Sequence, residues 1–437
     1  MKTIHIGLLG LGVVGTGAAG LLIRKKHLLE SRIGAHLNLK TIADIDIETD
    51  RGIDLNSVTL VTDAAAVLND PEIDVVVELI GGDTPARQFI LTALENGKHV
   101  VTANKALLAA CGNELMETAR KNRVDLAFEA SCGGCMPIIK TLRESLVAND
   151  IKSMSGILNG TCNYILSRIS RDGCTFEDAL KTAQELGFAE AEPSLDIDGH
   201  DTAHKLAILN ALAHGMEINL SDIHVEGIRR ITPMDIEFAR SFGYTIKLLA
   251  IGKRHGDHVE ARVHPTMIDN TNPLSHVDHS MNAIAIDGDA TGKTMLYGHG
   301  AGMMPTASAV LSDIADIARN IISGTTGRVP ILGYPRENIR HIPILSMNEL
   351  MTRYYMRFEA QDHPGVLSRI SGILGENGIS INSVQQHGRN ANGTVPVVMI
   401  THIAKEAWIQ SALTRITATD CVVNQPMVIR IEDEVAR

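Results

Sequence analysis

The stretch GLGVVG, Gly10 to Gly15, constrains this chain more than any other. It follows the apolar run TIHIGLLG and opens an apolar helical pattern, so Gly10, Gly12 and Gly15 form a G-x-G-x-x-G at a strand-to-helix turn. Glycines at that spacing permit a tight turn, let a pyrophosphate approach the backbone, and aim a helix N-terminus at it. The spacing therefore predicts a dinucleotide-binding βαβ unit. The next hundred residues agree with it: GTGAAGLLIRKKHLLESR reads as one helix, LNLKTIADID as a strand, and DAAAVLND as a helix. IDVVVELIGG is a fully buried strand, PARQFILTALENG a helix and KHVVTANK a strand ending in a loop. Continuous apolar strands alternating with helices predict a doubly wound parallel sheet, an α/β Rossmann domain over 1–130.

The 437 residues leave room for about three domains. From 131 to 302 helices and strands mix without alternation (FEDALKTAQELGF, TAHKLAILNALAHG, YTIKLLAIGKRH, HVEARVHPTMI), which predicts an α+β domain. PTASAVLSDIADIARNIISG is an amphipathic helix placed to return to the nucleotide domain, which residues 303–345 would complete. RVPILGYPRENIRHIP has little periodicity and reads as a linker. Residues 350–437 have the order βαββαβ, a ferredoxin-like unit.

A net charge of -11 argues against a general nucleic-acid binder. The N-terminus has a positive start and an apolar run, but His5 interrupts it, and no stretch reaches the ~18 apolar residues of a membrane span. Six scattered cysteines form no disulfide framework and fit a reducing compartment, so the expected location is the cytoplasm.

Asp44, ending the second strand in IADID, stands where a carboxylate can bond an adenosine ribose and repel a 2′-phosphate. A solvated strand end is the alternative. Arg51 is the nearest arginine, so NAD is favoured over NADP. Asn104 and Lys105 end another strand, at the edge that faces the ligand crevice in such sheets. A lysine there can polarise a carbonyl or handle a proton, or simply cap a helix at the surface. GFAEAEPSLDIDGHDTAHKLAIL gathers Glu190, Glu192, Asp196, Asp198 and Asp201 ahead of Lys205. Asp201 and Lys205 are i, i+4, on one helix face. His200 and His204 share that spacing, but Asp201 replaces the glutamate of H-E-x-x-H and no third ligand is suggested.

GLGVVG, VTANKAL, FEAS.GG..PII, GILNGTCNYIL, the block from Ala183 to Lys205, and GAGMMPTASAV occur together and in order. In these the chain resembles the homoserine dehydrogenase family over essentially its whole length. The resemblance implies reversible NAD(P)H-dependent reduction of L-aspartate 4-semialdehyde to L-homoserine, in threonine, methionine and isoleucine biosynthesis. It implies Lys205 as catalytic acid/base and Lys105 beside the reacting oxygen and the nicotinamide. Glu190 and Asp201 match the family's homoserine-binding carboxylates, Asp196 supports the amino group, and Asn159, Gly160 and Thr161 line the pocket. Gly10, Gly12, Val13, Val14, Gly15, Asp44, Thr102, Lys105, Gly187 and Gly302 match cofactor positions. Ala43 fills the place where NADP-preferring relatives carry an arginine. The 131–302 domain would also dimerise the chain, giving a homodimer or homotetramer.

The loop EASCGGCMP matches one that holds a monovalent cation, typically sodium, through the backbone at Glu129, Cys132, Gly134 and Met136. Oxygen ligation by carbonyls tolerates cysteine side chains there. The glycines are the main reason for the loop, and a reversible Cys132–Cys135 disulfide is the lesser alternative. DHPGVLSRISGIL and GISINS resemble an ACT domain, with Asp362, Gly365, Val366, Leu367 and Asn382 as effector contacts. The implied effector is threonine; a purely dimerising unit is the alternative.

Overall fold

The computed structural model describes residues 1–386 and 393–432. Its first part runs β1 (Thr3–Leu9), α1 (Val13–Arg24), α2 (Lys26–Ile33), β2 (His36–Ala43), β3 (Thr59–Val61), α3 (Ala65–Leu68) and β4 (Val75–Glu78). It continues through α4 (Thr84–Glu95), β5 (His99–Thr102), α5 (Lys105–Asn122) and β6 (Leu126–Ala127). These strands form a parallel sheet in the order β3-β2-β1-β4-β5-β6. The order reverses between β1 and β4, which opens a crevice beyond their carboxyl ends. Val75, Val76 and Val77 of β4 are buried, as the continuous apolar run requires of a strand covered on both faces.

The single helix expected from Gly15 to Arg32 is two. The backbone leaves helical hydrogen bonding at Lys25, whose N–H still donates to Leu21. The apolar face that holds α1 on the sheet ends at Leu22, and the cations Arg24, Lys25 and Lys26 follow. A straight continuation would carry the chain off the sheet.

The middle of the chain adds α6 (Ile138–Lys140), β7 (Ile151–Ile157), α7 (Gly160–Asp172), α8 (Phe176–Glu185), α9 (Ser194–Ile197) and α10 (His200–His214). Then come β8 (His224–Val225), α11 (Pro233–Ser241), β9 (Tyr244–His255), β10 (His258–Asp269), β11 (Met281–Gly288) and β12 (Gly292–His299). The pair β11 and β12 gives no clear alternation in sequence because β12 is largely exposed and interrupted by glycines. Next, α12 (Met303–Ser323) returns to the first sheet: a Cβ on Gly17 of α1 would lie 2.8 Å from Met303 Cγ. Ala307, Val310 and Ile314 of α12 are buried in one core with Ala18, Ala19 and Leu22 of α1. Each fully buried valine or isoleucine there contributes about 1.5–3 kcal/mol. Residues 325–345 run on as irregular chain over α5 and the second sheet, with Leu345 N–H donating to Val259 and Arg340 N–H to Gly215.

The last part is β13 (Met351–Gln361), α13 (Val366–Glu376), β14 (Ile381–Gln386), β15 (Thr394–Thr401), the short β16 (Ala404–Lys405), α14 (Glu406–Thr417) and β17 (Met427–Glu432). It is the βαββαβ pattern, with β16 as a small addition. It does not stand apart from the rest. β17 pairs in parallel with β10, Thr266 opposite Arg430, while its other edge runs antiparallel to β13. One continuous sheet results, β12-β11-β7-β9-β10-β17-β13-β15-β14. Among the described residues no helix is long and apolar enough to cross a membrane.

Candidate active site

The glycine turn is built as its spacing predicts. Gly10 has φ 94°, and a Cβ there would meet the Leu79 carbonyl oxygen at 2.7 Å. Gly15 lies so close to β1 that a Cβ would be 2.1 Å from the Gly10 oxygen. Gly12, the residue before α1, faces open space on its Cβ side, which leaves the helix N-terminus approachable by a phosphate. Val13 is exposed beside it and Val14 is half-buried. Asp44 reaches back to this turn, one carboxylate oxygen accepting from Leu11 N–H and the other from Asp46 N–H at 2.8 Å. It therefore pins the turn. Arg51 is engaged by Asp46, through its carboxylate at 3.0 Å and its carbonyl at 3.1 Å. These residues fit a dinucleotide: a turn without side chains, an open helix N-terminus, and an acid at the end of β2.

Beyond the carboxyl end of β5 the second feature appears. Asn104 caps α5 by accepting from Leu107 N–H, and Lys105 is the first residue of that helix. Lys205 comes from the second turn of α10 and Asp201 from the first, the i, i+4 pair expected. The structure adds what the spacing does not state: Asp201 holds both lysines. Its Oδ2 lies 2.7 Å from Lys205 Nζ and its Oδ1 3.1 Å from Lys105 Nζ. Lys205 Nζ also donates to the Leu158 carbonyl at 2.6 Å.

Asn159 caps α7 by accepting from Cys162 N–H, which fixes its amide. Its Nδ2 then donates to Asp196 at 2.7 Å and to Asp201 at 2.9 Å. Thr161 Oγ1 donates to Phe188 O at 2.6 Å, with Asp196 Oδ2 at 3.1 Å. Gly160 packs its Cα against the 280 turn, where a Cβ would lie 2.8 Å from the Ser280 oxygen. Lys105, Lys205, Asp201, Asp196, Asn159 and Thr161 are thus one connected group.

Its electrostatics follow from burial. Desolvation alone would raise the Asp201 carboxyl, but the two ammonium groups outweigh it and hold it well below the usual carboxylate range. Lys105 is raised above its ordinary value, first by the charge of Asp201. Asp196 is raised by burial and by the nearby charge of Asp201. A single ionised carboxylate between two lysines, with a second carboxyl alongside, can present positive charge to a developing alkoxide and a negative group to an ammonium.

Other expected residues lie around this group. Glu190 is exposed, on the segment between α8 and α9, and its carbonyl accepts from Gln184. Gly187 has φ 74° and is exposed on the same segment. Gly302 precedes α12 with φ 130°, so it stands where α12 meets α1 beside the nucleotide turn. In the 129–136 loop, Cys132 and Met136 are buried, and a Cβ on Gly134 would lie 2.5 Å from the His299 oxygen. The loop touches the site through Cys132 Sγ, which faces the Lys205 carbonyl at 3.9 Å. Cys132 and Cys135 are both free thiols, the first buried and the second exposed, and burial pushes the Cys132 thiol up to about 12.

The Glu129 carboxylate accepts from Ile139 N–H and Lys140 N–H, and burial followed by the charge of Asp313 raises it to about 7. Among the described residues no three His, Cys, Asp or Glu side chains gather as a metal site. In the C-terminal unit Gly365 caps the start of α13 with φ 89°; Leu367 in α13 and Asn382 in β14 are both exposed, and Asp362 lies in the turn ahead of α13. Val366 is the first residue of α13.

One residue of the site has only a faint signal in the sequence. Glu78, fully buried at the end of β4, accepts from Thr102 Oγ1 at 2.6 Å and from Ile80 and Gly81 N–H. Thr102 in turn accepts from Asn104 N–H, and Asn104 Nδ2 donates to Gly82 O. This chain of bonds seats the start of α5 and hence Lys105. The signal is a lone acid in an otherwise apolar run, VVVELIGG.

Sequence models of three families match the chain. That described as homoserine dehydrogenase covers residues 137–315, that of the homoserine dehydrogenase NAD binding domain 10–129, and that of the ACT domain 354–418. The chain is similar to the homoserine dehydrogenase of Neisseria gonorrhoeae, 44% identical over 432 residues that are 99% of each chain. It is also similar to that of Pseudomonas aeruginosa, 42% identical over 433 residues, again 99% of each. The crystal structure of a homoserine dehydrogenase from Thiobacillus denitrificans superposes with a TM-score of 0.94 at 43% identity, over 99% of both chains.

Proposed function

The chain belongs to the homoserine dehydrogenase family, and on that premise we propose that it interconverts L-homoserine and L-aspartate 4-semialdehyde. It is an oxidoreductase with an NAD-binding domain. The observation that carries the proposal is the bridging of Lys105 and Lys205 by one buried carboxylate, Asp201. A bound nicotinamide cofactor supplies hydride donation in one direction and acceptance in the other. Lys205 Nζ gives a proton to the aldehyde oxygen during reduction and takes it back from the alcohol during oxidation. Lys105 steadies the developing alkoxide, and Asp201 keeps both ammonium groups aimed. Asp196 and Glu190 receive the substrate ammonium, and Asn159, Gly160 and Thr161 form the wall.

The cofactor is held by Gly10, Gly12, Val13, Val14, Gly15, Asp44, Thr102, Lys105, Gly187 and Gly302. NAD is preferred, a reading supported by an acid at Asp44 and by the engagement of Arg51 with Asp46. The 129–136 loop takes sodium on the backbone of Glu129, Cys132, Gly134 and Met136. The three units span 1–130 with 303–345, 131–302 and 350–437. The enzyme works in the cytoplasm as a homodimer or homotetramer, in threonine and methionine biosynthesis. Threonine inhibits it through Asp362, Gly365, Val366, Leu367 and Asn382, supported by the left-handed Gly365 that opens the start of α13. A steady-state assay of homoserine oxidation with NAD or NADP, with and without threonine, tests the activity, the cofactor preference and the inhibition. Absence of turnover with either cofactor refutes the central claim.

A further inference from the structure

The weld between β10 and β17 brings charged residues of the C-terminal unit into the substrate half of the molecule. Arg430 of β17 is buried, 4% exposed at its side chain. Two of its nitrogens bond Glu406, at 2.7 and 2.8 Å, and Glu406 also accepts from Tyr354. All three residues belong to the C-terminal unit. The third nitrogen, Nη1, reaches Glu226 at 2.9 Å. Glu226 follows β8 and is tied to β10 by its N–H to the Val263 carbonyl.

The chain just after Glu226 lies against α9 and the entry to α10. Gly227 has no space for a side chain: a Cβ would sit 2.3 Å from the Ile197 oxygen and 2.5 Å from Asp198 Cα. Ile228 N–H donates to Ile197 O at 2.8 Å. Arg229 grips Asp198 at 2.6 and 3.0 Å and Ser194 Oγ at 2.9 Å. Gly199 packs on Val225 and Glu226, where a Cβ would lie 3.1 Å from Val225 Cγ1 and 3.3 Å from the Glu226 oxygen. Asp196 lies within α9, and Asp201 begins the first turn of α10 after Gly199.

We propose that Glu226 and Arg430 form a positioning pair through which the C-terminal unit sets the seat of Asp196 and Asp201. Neither residue belongs to the connected group formed by Lys105, Lys205, Asp201, Asp196, Asn159 and Thr161. The pair fixes the 226–229 segment, that segment fixes α9 and Gly199, and these fix the two carboxyl groups of the site. The effect on homoserine rests on the function proposed above; the effect on the 194–201 backbone does not.

The test compares Glu226→Gln, which keeps shape but removes the charge, with Arg229→Gln, a change at a half-exposed side chain that leaves the core intact. Arg430→Lys keeps the charge but cannot hold Glu406 and Glu226 together, since three separate nitrogens make those contacts. Lys253→Met is the control, since Lys253 pairs with Glu432 in the same seam but not with the 226–229 segment. Glu226→Gln and Arg229→Gln are expected to raise KM for homoserine about tenfold, with KM for the nicotinamide cofactor unchanged. Amide hydrogen exchange at residues 194–201 should quicken while exchange in α1 stays as it was. Arg430→Lys should raise KM as Glu226→Gln does, and Lys253→Met should lower Tm without moving KM. A fall in kcat and Tm together, with KM and 194–201 exchange unaltered, would mean a structural pair only and overturn the proposal. If the wild-type protein turns over no homoserine, the functional reading fails, and the exchange measurement still decides the pair.

Discussion

Replacing Asp201 with asparagine separates charge from shape at the centre of the site. The carboxylate stands 2.7 Å from one ammonium and 3.1 Å from the other. At an effective dielectric of about 20, each contact carries roughly 5–6 kcal/mol of attraction before desolvation is subtracted. Removing one partner of such a buried pair costs about 3–5 kcal/mol net. Losing about 3 kcal/mol in the transition state lowers kcat/KM on the order of a hundredfold.

Two pH effects accompany this loss. Lys105 loses the charge that raises it, so the limb of the pH–rate profile set by lysine deprotonation moves to lower pH. The Asp201 carboxyl is depressed in the folded protein, so its stabilisation is present above the unfolded pKa of about 3.9 and is lost as pH falls through the folded value. The Tm gap between wild type and variant should therefore be flat from neutrality down to about pH 5 and close only in stronger acid. Steady-state kinetics and thermal melts across pH measure both. An Asp201→Asn enzyme with kcat/KM within about threefold of wild type and an unmoved alkaline limb would refute the bridging role.

Lys205→Ala should lower kcat by about 10²–10⁴ while cofactor affinity, followed by nicotinamide fluorescence, stays near wild type. Gly15→Ala must shift the turn, because the new Cβ would fall 2.1 Å from the Gly10 oxygen; cofactor Kd should rise about tenfold or more, and a titration giving an unchanged Kd would count against the turn's role. A thiol reagent under native conditions should label exposed Cys135 ahead of buried Cys132, whose thiol is pushed up to about 12. Mass spectrometry reads the order, and early labelling of Cys132 would contradict its burial.

Much of this architecture is written locally, and that part is legible in the sequence. The glycine turn and the i, i+4 placement of Asp201 and Lys205 depend on residues within a turn or two of one another, and each element of the βαββαβ order is marked by its own local periodicity. Asn159 and Asp196 lie 37 positions apart, and their meeting requires a family pattern rather than a period. Other features depend on distant partners. Lys105 and Asp201 come from different layers, so no spacing announces that one carboxylate serves both lysines. The pairing of Thr266 with Arg430 is a parallel bridge across more than a third of the chain, and neither strand looks unfinished in sequence. Glu78 is easily passed over, because a buried acid in an apolar strand resembles an interruption until its hydrogen-bond donors are known.

The position of β17 also bears on how the protein is made. From the end of β10 at Asp269 to the start of β17 at Met427 the ribosome must add about 160 residues, which at roughly 5–20 residues per second takes about 8–30 seconds. Through that interval the Thr266–Ile268 edge of β10 waits without the strand it pairs with in the finished fold, at first beside β9, β7 and the short β8 alone. Unpaired edges of that kind recruit strands from neighbouring nascent chains. Chaperone occupancy on polysomes should accordingly peak while β10 waits and fall once β17 has emerged.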